Sequence, residues 1–391
     1  MTTRRPETTS TTVAGEPGTW VTSQTYDAQG REKITTYPDG LAVQRNYHPA
    51  SGIFNQLADA TTAQGYWTAN TQDAFGNIVN ENYGNGAYTN DVSYASTGQM
   101  LFKRWYTSTG DLLDQFQYTY DSFGNLKQQQ RTQAILLPTV VSENYSYDGL
   151  QRLTQSSRVG VAGALPVRTS YSPGGNLLNK SDYGIDSQGA YLYGINGCGP
   201  HAVGNVQKAS GSRTYGCDAN GNVVAGNEIG AVYDFMNLPR IVSRLGAQYA
   251  GSTQFRYDAN GQRYEEATGT GETTRFGPKG YEKVISSGTA ARHRHELGPV
   301  IVNRVNGVDD VTYVARDRLG STVNLLRNNP YKSTLRSYDP FDAKDREILA
   351  LNSKLKKLEW ELGIVNGLVE LQKKAQALIA AMREEESSCT R

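Results

Sequence analysis

The chain has 391 residues and a formal net charge of +1, so it carries no general attraction to nucleic acid or to an anionic membrane. Apolar residues make up 37% and the mean hydropathy is −0.57, which is thin for a compact core of this length and suits a sheet with partly wetted faces. Tyr outnumbers Phe 25 to 9, and tyrosine packs a ring while leaving its hydroxyl free for water.

Residues 1–18 are polar and Thr-rich, with Arg4 and Arg5 but no apolar run behind them. They read as a disordered lead, or as the cut edge of a longer repeat array, and not as a signal peptide. No stretch approaches the ~20 apolar residues of a membrane-spanning helix.

From Trp20 a short phrase returns: Tyr-Asp, two variable residues, Gly. It stands at Tyr26-Asp27 with Gly30, at Tyr120-Asp121 with Gly124 and at Tyr257-Asp258 with Gly261. Worn copies begin at Asp73, Tyr147, Tyr171, Asp218 and Tyr233. The steps Tyr94 to Tyr120, Tyr147 and Tyr171 are 26, 27 and 24 residues. Such a period marks a repeat architecture. Tyr favours a strand, Asp starts a turn by accepting backbone N–H bonds, and Gly or Asn tolerates the positive φ that closes it. Each copy therefore predicts a β-hairpin, with return strands such as Leu153-Thr154-Gln155 and Val223-Val224-Ala225. One hairpin is marginal in water, so copies must pair side by side. Disorder is the rival reading of the Gly, Ser and Thr content; the recurring Tyr and β-branched residues argue against it.

Cys198, Cys217 and Cys389 give no disulfide framework. The first two face each other if their hairpins are neighbours, but two separate free thiols are the expectation. His293 and His295 alternate, so a strand puts both on one face, where a shared metal is one reading. No third ligand is evident, and solvated surface histidines are the expected outcome. No metal and no cofactor are expected elsewhere.

Beyond Thr273 the wording changes. Tyr281 to Val284 is followed by Arg316-Asp317-Arg318-Leu319-Gly320-Ser321 and by Tyr338-Asp339-Pro340-Phe341. With Gly199-Pro200-His201-Ala202-Val203 upstream, this ordered series resembles the RHS/YD-repeat family, over about Trp20 to Phe341. That family includes bacterial RHS effectors, the encapsulating component of insecticidal toxin complexes and teneurin shells. The resemblance implies a mainly β fold: a YD-repeat hairpin spiral or partial shell over 19–272, an RHS-associated core over 273–342, and a variable C-terminal segment. It also implies delivery or secretion from a bacterial cell without a recognisable signal peptide, the protein being cytoplasmic before export.

In longer members of that family the core is an aspartyl-type self-protease. On that resemblance Arg316 and Asp317 fall on the arginine and the first catalytic aspartate, and the cleavage region is Asp339, Pro340, Phe341 and Asp342. An aspartyl mechanism needs two carboxylates with separated pKa values. The window for the second holds Arg327, Asn328 and Asn329, and asparagine exchanges no proton. Asp342 replaces the glycine after Asp-Pro-Phe. Self-cleavage is therefore expected to be lost or very slow, and a buried Arg316–Asp317 ion pair is the structural alternative.

Residues 343–391 change character to Leu, Ala, Lys and Glu, with Asp342 or Asp345 as a helix N-cap. Ile348, Leu351, Leu355, Leu358, Leu362 and Val365 step by three and four, an a/d seam; it resumes at Leu371, Ala375, Leu378 and Met382 after Gly363 and Gly367. A coiled coil pairing copies through 348–382 and a helical hairpin both fit. The glycine pair has the spacing of a membrane dimer motif, but the run is too short and too charged to span.

Three functions follow. The first is a scaffold that encapsulates, presents or is capped by the tail, as part of a toxin-delivery or interbacterial competition system. The second is a self-cleaving effector. The third is a glycan-binding adhesin or tail-fibre-like module, with Trp20, Trp67, Trp105 and tyrosines stacking on sugars.

Overall fold

The computed structural model describes residues 8–12, 19–89, 92–134, 139–184, 189–244, 251–326 and 334–335. They belong to one compact unit, Met1–Ile135 with Thr139–Tyr338; Asn329, the cleavage region 339–342 and the tail 343–391 lie outside the described residues.

Apart from one 3-10 turn at Pro278–Gly280, the described elements are all strands, arranged as two large antiparallel sheets. The first runs from Thr8–Thr12 to Leu177–Lys180 and the second from Tyr191–Tyr193 to Thr334–Leu335. Within each sheet, and with a small exception at Val92–Tyr94, every described strand pairs with its neighbours in sequence. Within the stretch expected as a disordered lead, Thr8–Thr12 pairs with Thr19–Tyr26. Pairing continues across residue 272, from Arg263–Thr268 to Thr273–Phe276.

The repeated phrase builds one device many times. At Asp121 the backbone closes with the Asp121 N–H on Asn125 O (2.9 Å) and the Gly124 N–H on Asp121 O (3.1 Å). Asp121 Oδ1 accepts the amides of Phe123 and Asn125, both at 2.9 Å, and Oδ2 accepts the Asn125 side chain. Asp27, Asp73, Asp148, Asp218, Asp234, Asp258 and Asp317 cap their turns with the same two amide bonds. The Asn125 side chain, followed by the turn amides, holds the Asp121 carboxyl below its usual range.

The last residue before the turn sits at a register shift, as between Thr119 and Tyr120 or between Ser146 and Tyr147. A bulge twists the strand and redirects its side chain. The tyrosine there reaches back to the preceding hairpin. Tyr47, Tyr94, Tyr120, Tyr147, Tyr171, Tyr193 and Tyr257 donate to the carbonyls of Glu32, Ile78, Met100, Leu126, Leu153, Leu177 and Pro239, at 2.8–3.2 Å. Each acceptor is the first residue of the preceding return strand. These hydroxyls are therefore bound by protein, where composition suggested water. The tie at Tyr193 crosses from the second sheet to the first.

The main core joins the early strands of the first sheet to the late strands of the second. Trp20, Tyr37, Tyr66, Trp67, Tyr83, Trp105 and Tyr118 share it with Tyr281, Val300, Val302, Tyr313 and Val323. The three tryptophans considered as sugar platforms are buried here, which corrects that expectation: packing between the sheets takes their rings out of solvent. The approach is close. A Cβ on Gly84 would stand 2.3 Å from Gly65 O and 2.6 Å from the Tyr313 hydroxyl.

Two further expectations are corrected. Cys198 and Cys217 form a disulfide, with Cα atoms 4.8 Å apart. The loop from Gly194 to Ala202 is longer than the five-residue tips and folds over strand Arg213–Cys217, where the Cys217 N–H donates to Asn196 O at 3.1 Å. Gly197 (φ +78°) permits this, since a Cβ there would lie 2.6 Å from Cys217 O. His295 is not solvated but fully buried, because strand Arg292–Glu296 is covered by the first hairpins.

Candidate functional site

Arg316 and Asp317 occupy the Tyr and Asp positions of one more hairpin tip. Strand Val308–Arg316 shifts register between Ala315 and Arg316 and returns as Thr322–Leu326. Asp317 Oδ1 accepts the amides of Leu319 (2.9 Å) and Ser321 (2.8 Å), as Asp121 does for its own turn. Arg316 turns back toward the preceding hairpin. Its guanidinium donates to Gly320 O (2.9 Å), to Gly298 O (3.2 Å) and to Glu296 Oε1 (3.2 Å). Arg316 thus stands where the repeats place the tyrosine tie, and its side chain is about one-third exposed, so the ion pair it makes with Glu296 is a surface one. The Arg318 N–H donates to the Tyr118 hydroxyl at 3.4 Å, which fixes this tip against the first sheet.

The polar groups buried between the sheets were missed by sequence reasoning. Asp39 Oδ2 lies 2.9 Å from His295 Nε2, in a site walled by Tyr37 and Tyr281. His293 Nδ1 meets the Tyr281 hydroxyl at 2.7 Å, so the two histidines share a face as their alternation predicts. The Tyr37 hydroxyl donates to Lys279 O (3.2 Å), and Lys279 Nζ reaches Glu32 (3.1 Å). Burial raises the Asp39 carboxyl, and the bond and charge of His295 outweigh it, leaving the pKa lowered. His293 is pushed below its ordinary value, by burial first.

A second buried carboxylate, Glu81, accepts from Trp67 Nε1 (2.7 Å) and the Tyr83 hydroxyl (3.0 Å) and pairs with Lys103 Nζ (2.7 Å). Desolvation raises it, but the Lys103 charge and these donors win, and its pKa is lowered. Asp114 pairs with Arg131 at 2.6 Å; there burial wins and the pKa is raised. Arg131 also donates to Val323 O at 3.1 Å, across to the other sheet. These groups lie far apart in the chain and belong to no common motif, so only the sequential pairing of the strands could have hinted at them. Among the described residues there is no group of three His, Cys, Asp or Glu placed to hold a metal. No described helix is long and apolar enough to cross a membrane. In chemical terms Asp39 with His295, and Arg131 through Val323 O, bind one sheet to the other, while Glu81 and Lys103 pair within the first; each of these carboxylates has a partner.

Comparison with protein-family profiles and with curated proteins gives no match. Comparison with solved structures does. The Tc holotoxin pore of Photorhabdus luminescens matches 80% of this chain at 16% identity and a TM-score of 0.56. Crystal structures of TcdB2-TccC3-TEV and TcdB2-TccC3 match 82% and 81%, at 16% and 15% identity and TM-scores of 0.58 and 0.53. The chain spans only 17–18% of the chains it matches. This likeness concerns the fold, and it fits the RHS-like fold that the ordered phrases imply.

Proposed function

We propose that this chain is a toxin-complex-related scaffold: a YD-repeat β-wall that carries and shelters a variable C-terminal segment. The observation that supports it is the sequential sheet itself, tied hairpin to hairpin and alike in fold to Tc toxin structures over four-fifths of its length. A wall of this kind needs no reacting groups, and its buried carboxylates are spent on cohesion. The partners of this reading are the tail 343–391 and further toxin components, and its setting is export from a bacterial cell.

Limited proteolysis of the full chain tests it, followed by mass spectrometry against the isolated 343–391 peptide. Sheltering requires the tail to outlast the free peptide at equal protease. Digestion of both at the same rate overturns it.

The self-cleaving reading rests on Arg316, Asp317 and the Asp339-Pro340-Phe341 phrase. Denaturing mass spectrometry of the purified chain decides it: a separated C-terminal fragment that disappears in Asp317→Asn supports cleavage, and an intact chain ends the idea.

A further inference from the structure

The two sheets meet between Leu177–Lys180 and Tyr191–Tyr193, and there the strand ladder is interrupted. Side-chain bonds bridge this joint. Tyr193 donates to Leu177 O (2.8 Å), Asn176 Nδ2 donates to Pro200 O (3.0 Å), and His201 Nδ1 meets Asn176 Oδ1 (2.7 Å). Pro200 and His201 belong to the Gly194–Ala202 loop, so that loop's position sets the joint.

Cys217 pins this loop, and its place in the repeat is informative. It precedes Asp218 of a regular capped turn, and the register shifts between Gly216 and Cys217. That is the position from which seven tyrosines elsewhere bind the preceding hairpin. Here the tie to the preceding hairpin is covalent, through Cys198. A hydroxyl-to-carbonyl tie is indifferent to redox conditions; a disulfide is not.

We propose that Cys198–Cys217 is a thiol–disulfide exchange site that makes the joint between the sheets sensitive to dithiol reductants. Cys198 is buried and Cys217 is half-buried, so Cys217 is the end nearer to solvent and the one a reductant is expected to reach. A dithiol attacks the bond and gives a mixed disulfide; its second thiol then displaces the protein sulfur. Two electrons and two protons pass to Cys198 and Cys217, and the reductant leaves as a cyclic disulfide. The bond persists in an oxidising compartment and is cut in a reducing one. Opening frees the Gly194–Ala202 loop, and with it the bonds from Asn176, while the core shared by Trp20–Tyr118 and Tyr281–Val323 is untouched. The site stands whether or not the scaffold reading holds.

The test is thiol alkylation with intact mass, then hydrogen–deuterium exchange of the full chain with and without a dithiol such as dithiothreitol. One of the three cysteines is expected to alkylate before reduction and all three after it. Exchange over 189–226 is expected to rise roughly tenfold or more on reduction, with little change over 20–118. The paired variant Cys198→Ser with Cys217→Ser should exchange fast over 189–226 under both conditions. Three alkylated thiols before reduction, unchanged exchange after complete reduction, or an equal response in the paired variant would each overturn the proposal.

Discussion

Between Trp20 and Tyr118 the first sheet buries one face against the late strands of the second, whereas the same hairpin plan over Thr139–Tyr147 and Leu153–Val159 has no buried residue at all. Both stretches carry capped Asp turns and tyrosine ties. What differs is what lies on the sheet. Stretches of the first kind are held by area removed from water. Stretches of the second kind hang on neighbour-to-neighbour bonds, such as Gln128 to Asn144, Gln130 to Ser142 and Arg158 to Glu143. A repeat wall can thus be anchored where its ends meet and loose in between, as nearest-neighbour stability allows.

The contrast can be broken from the packed side. Trp105, 1% exposed, is expected to cost about 3–5 kcal/mol when changed to alanine, read by chemical denaturation. Arg131→Met should follow closely. It leaves Asp114 buried without its guanidinium, a loss of roughly 3 kcal/mol, and exchange should rise at Val323 in the other sheet as well as locally.

Acid acts on the packed region, because the titrating groups sit between the sheets. His293 has a lowered pKa, so the folded protein binds fewer protons than the unfolded chain near the ordinary value of 6.5. Its contribution is complete above about 6.5 and is lost as pH falls from there toward the folded pKa. The groups acting on it are Asp39, Lys283, His295 and Arg304, with the Tyr281 hydroxyl 2.7 Å from its Nδ1. Asp39 and Glu81, also lowered, contribute above their ordinary carboxyl range and lose that contribution in stronger acid; Asp114, raised, works the other way. A pH series of denaturation midpoints should show a shoulder just below 6.5 that flattens in His293→Gln. A shoulder unchanged by that variant would remove His293 from the account.

Over residues 139–159, where the strands bury no residue, the effects should be small and local. Tyr147→Phe deletes one tie, to Leu126 O, at a cost of about 1 kcal/mol. Hydrogen exchange should rise at 126–133 and 139–159 and not at 20–118. Smallest of all is Phe235→Ser at a hairpin tip. With Phe235 93% exposed, stability should move by less than about 0.5 kcal/mol.

The hairpin plan was legible because each step of it is local. In the Tyr120 copy, Asp121, Gly124 and Asn125 all act within five residues, and the spacing to Tyr147 repeats the act. Arg316 and Asp317 were found through phrase order, but their role as one more tie and cap follows from the register shift beside Ala315. His293 and His295 were read as sharing a face, which holds, and as solvated, which fails. Their covering residues Tyr37 and Asp39 lie some 256 positions away. Cys198 and Cys217 were read as apart because only the length and path of the intervening loop bring them together.

The sequence by itself determined that this chain makes paired strands with capped turns in regular succession, since those choices depend on φ, ψ and bonds between near neighbours. Which hairpins are buried was decided by tertiary structure alone. Burial depends on where the end of a long sheet returns, and that distance is summed over every twist along the way, far beyond the reach of any local pattern.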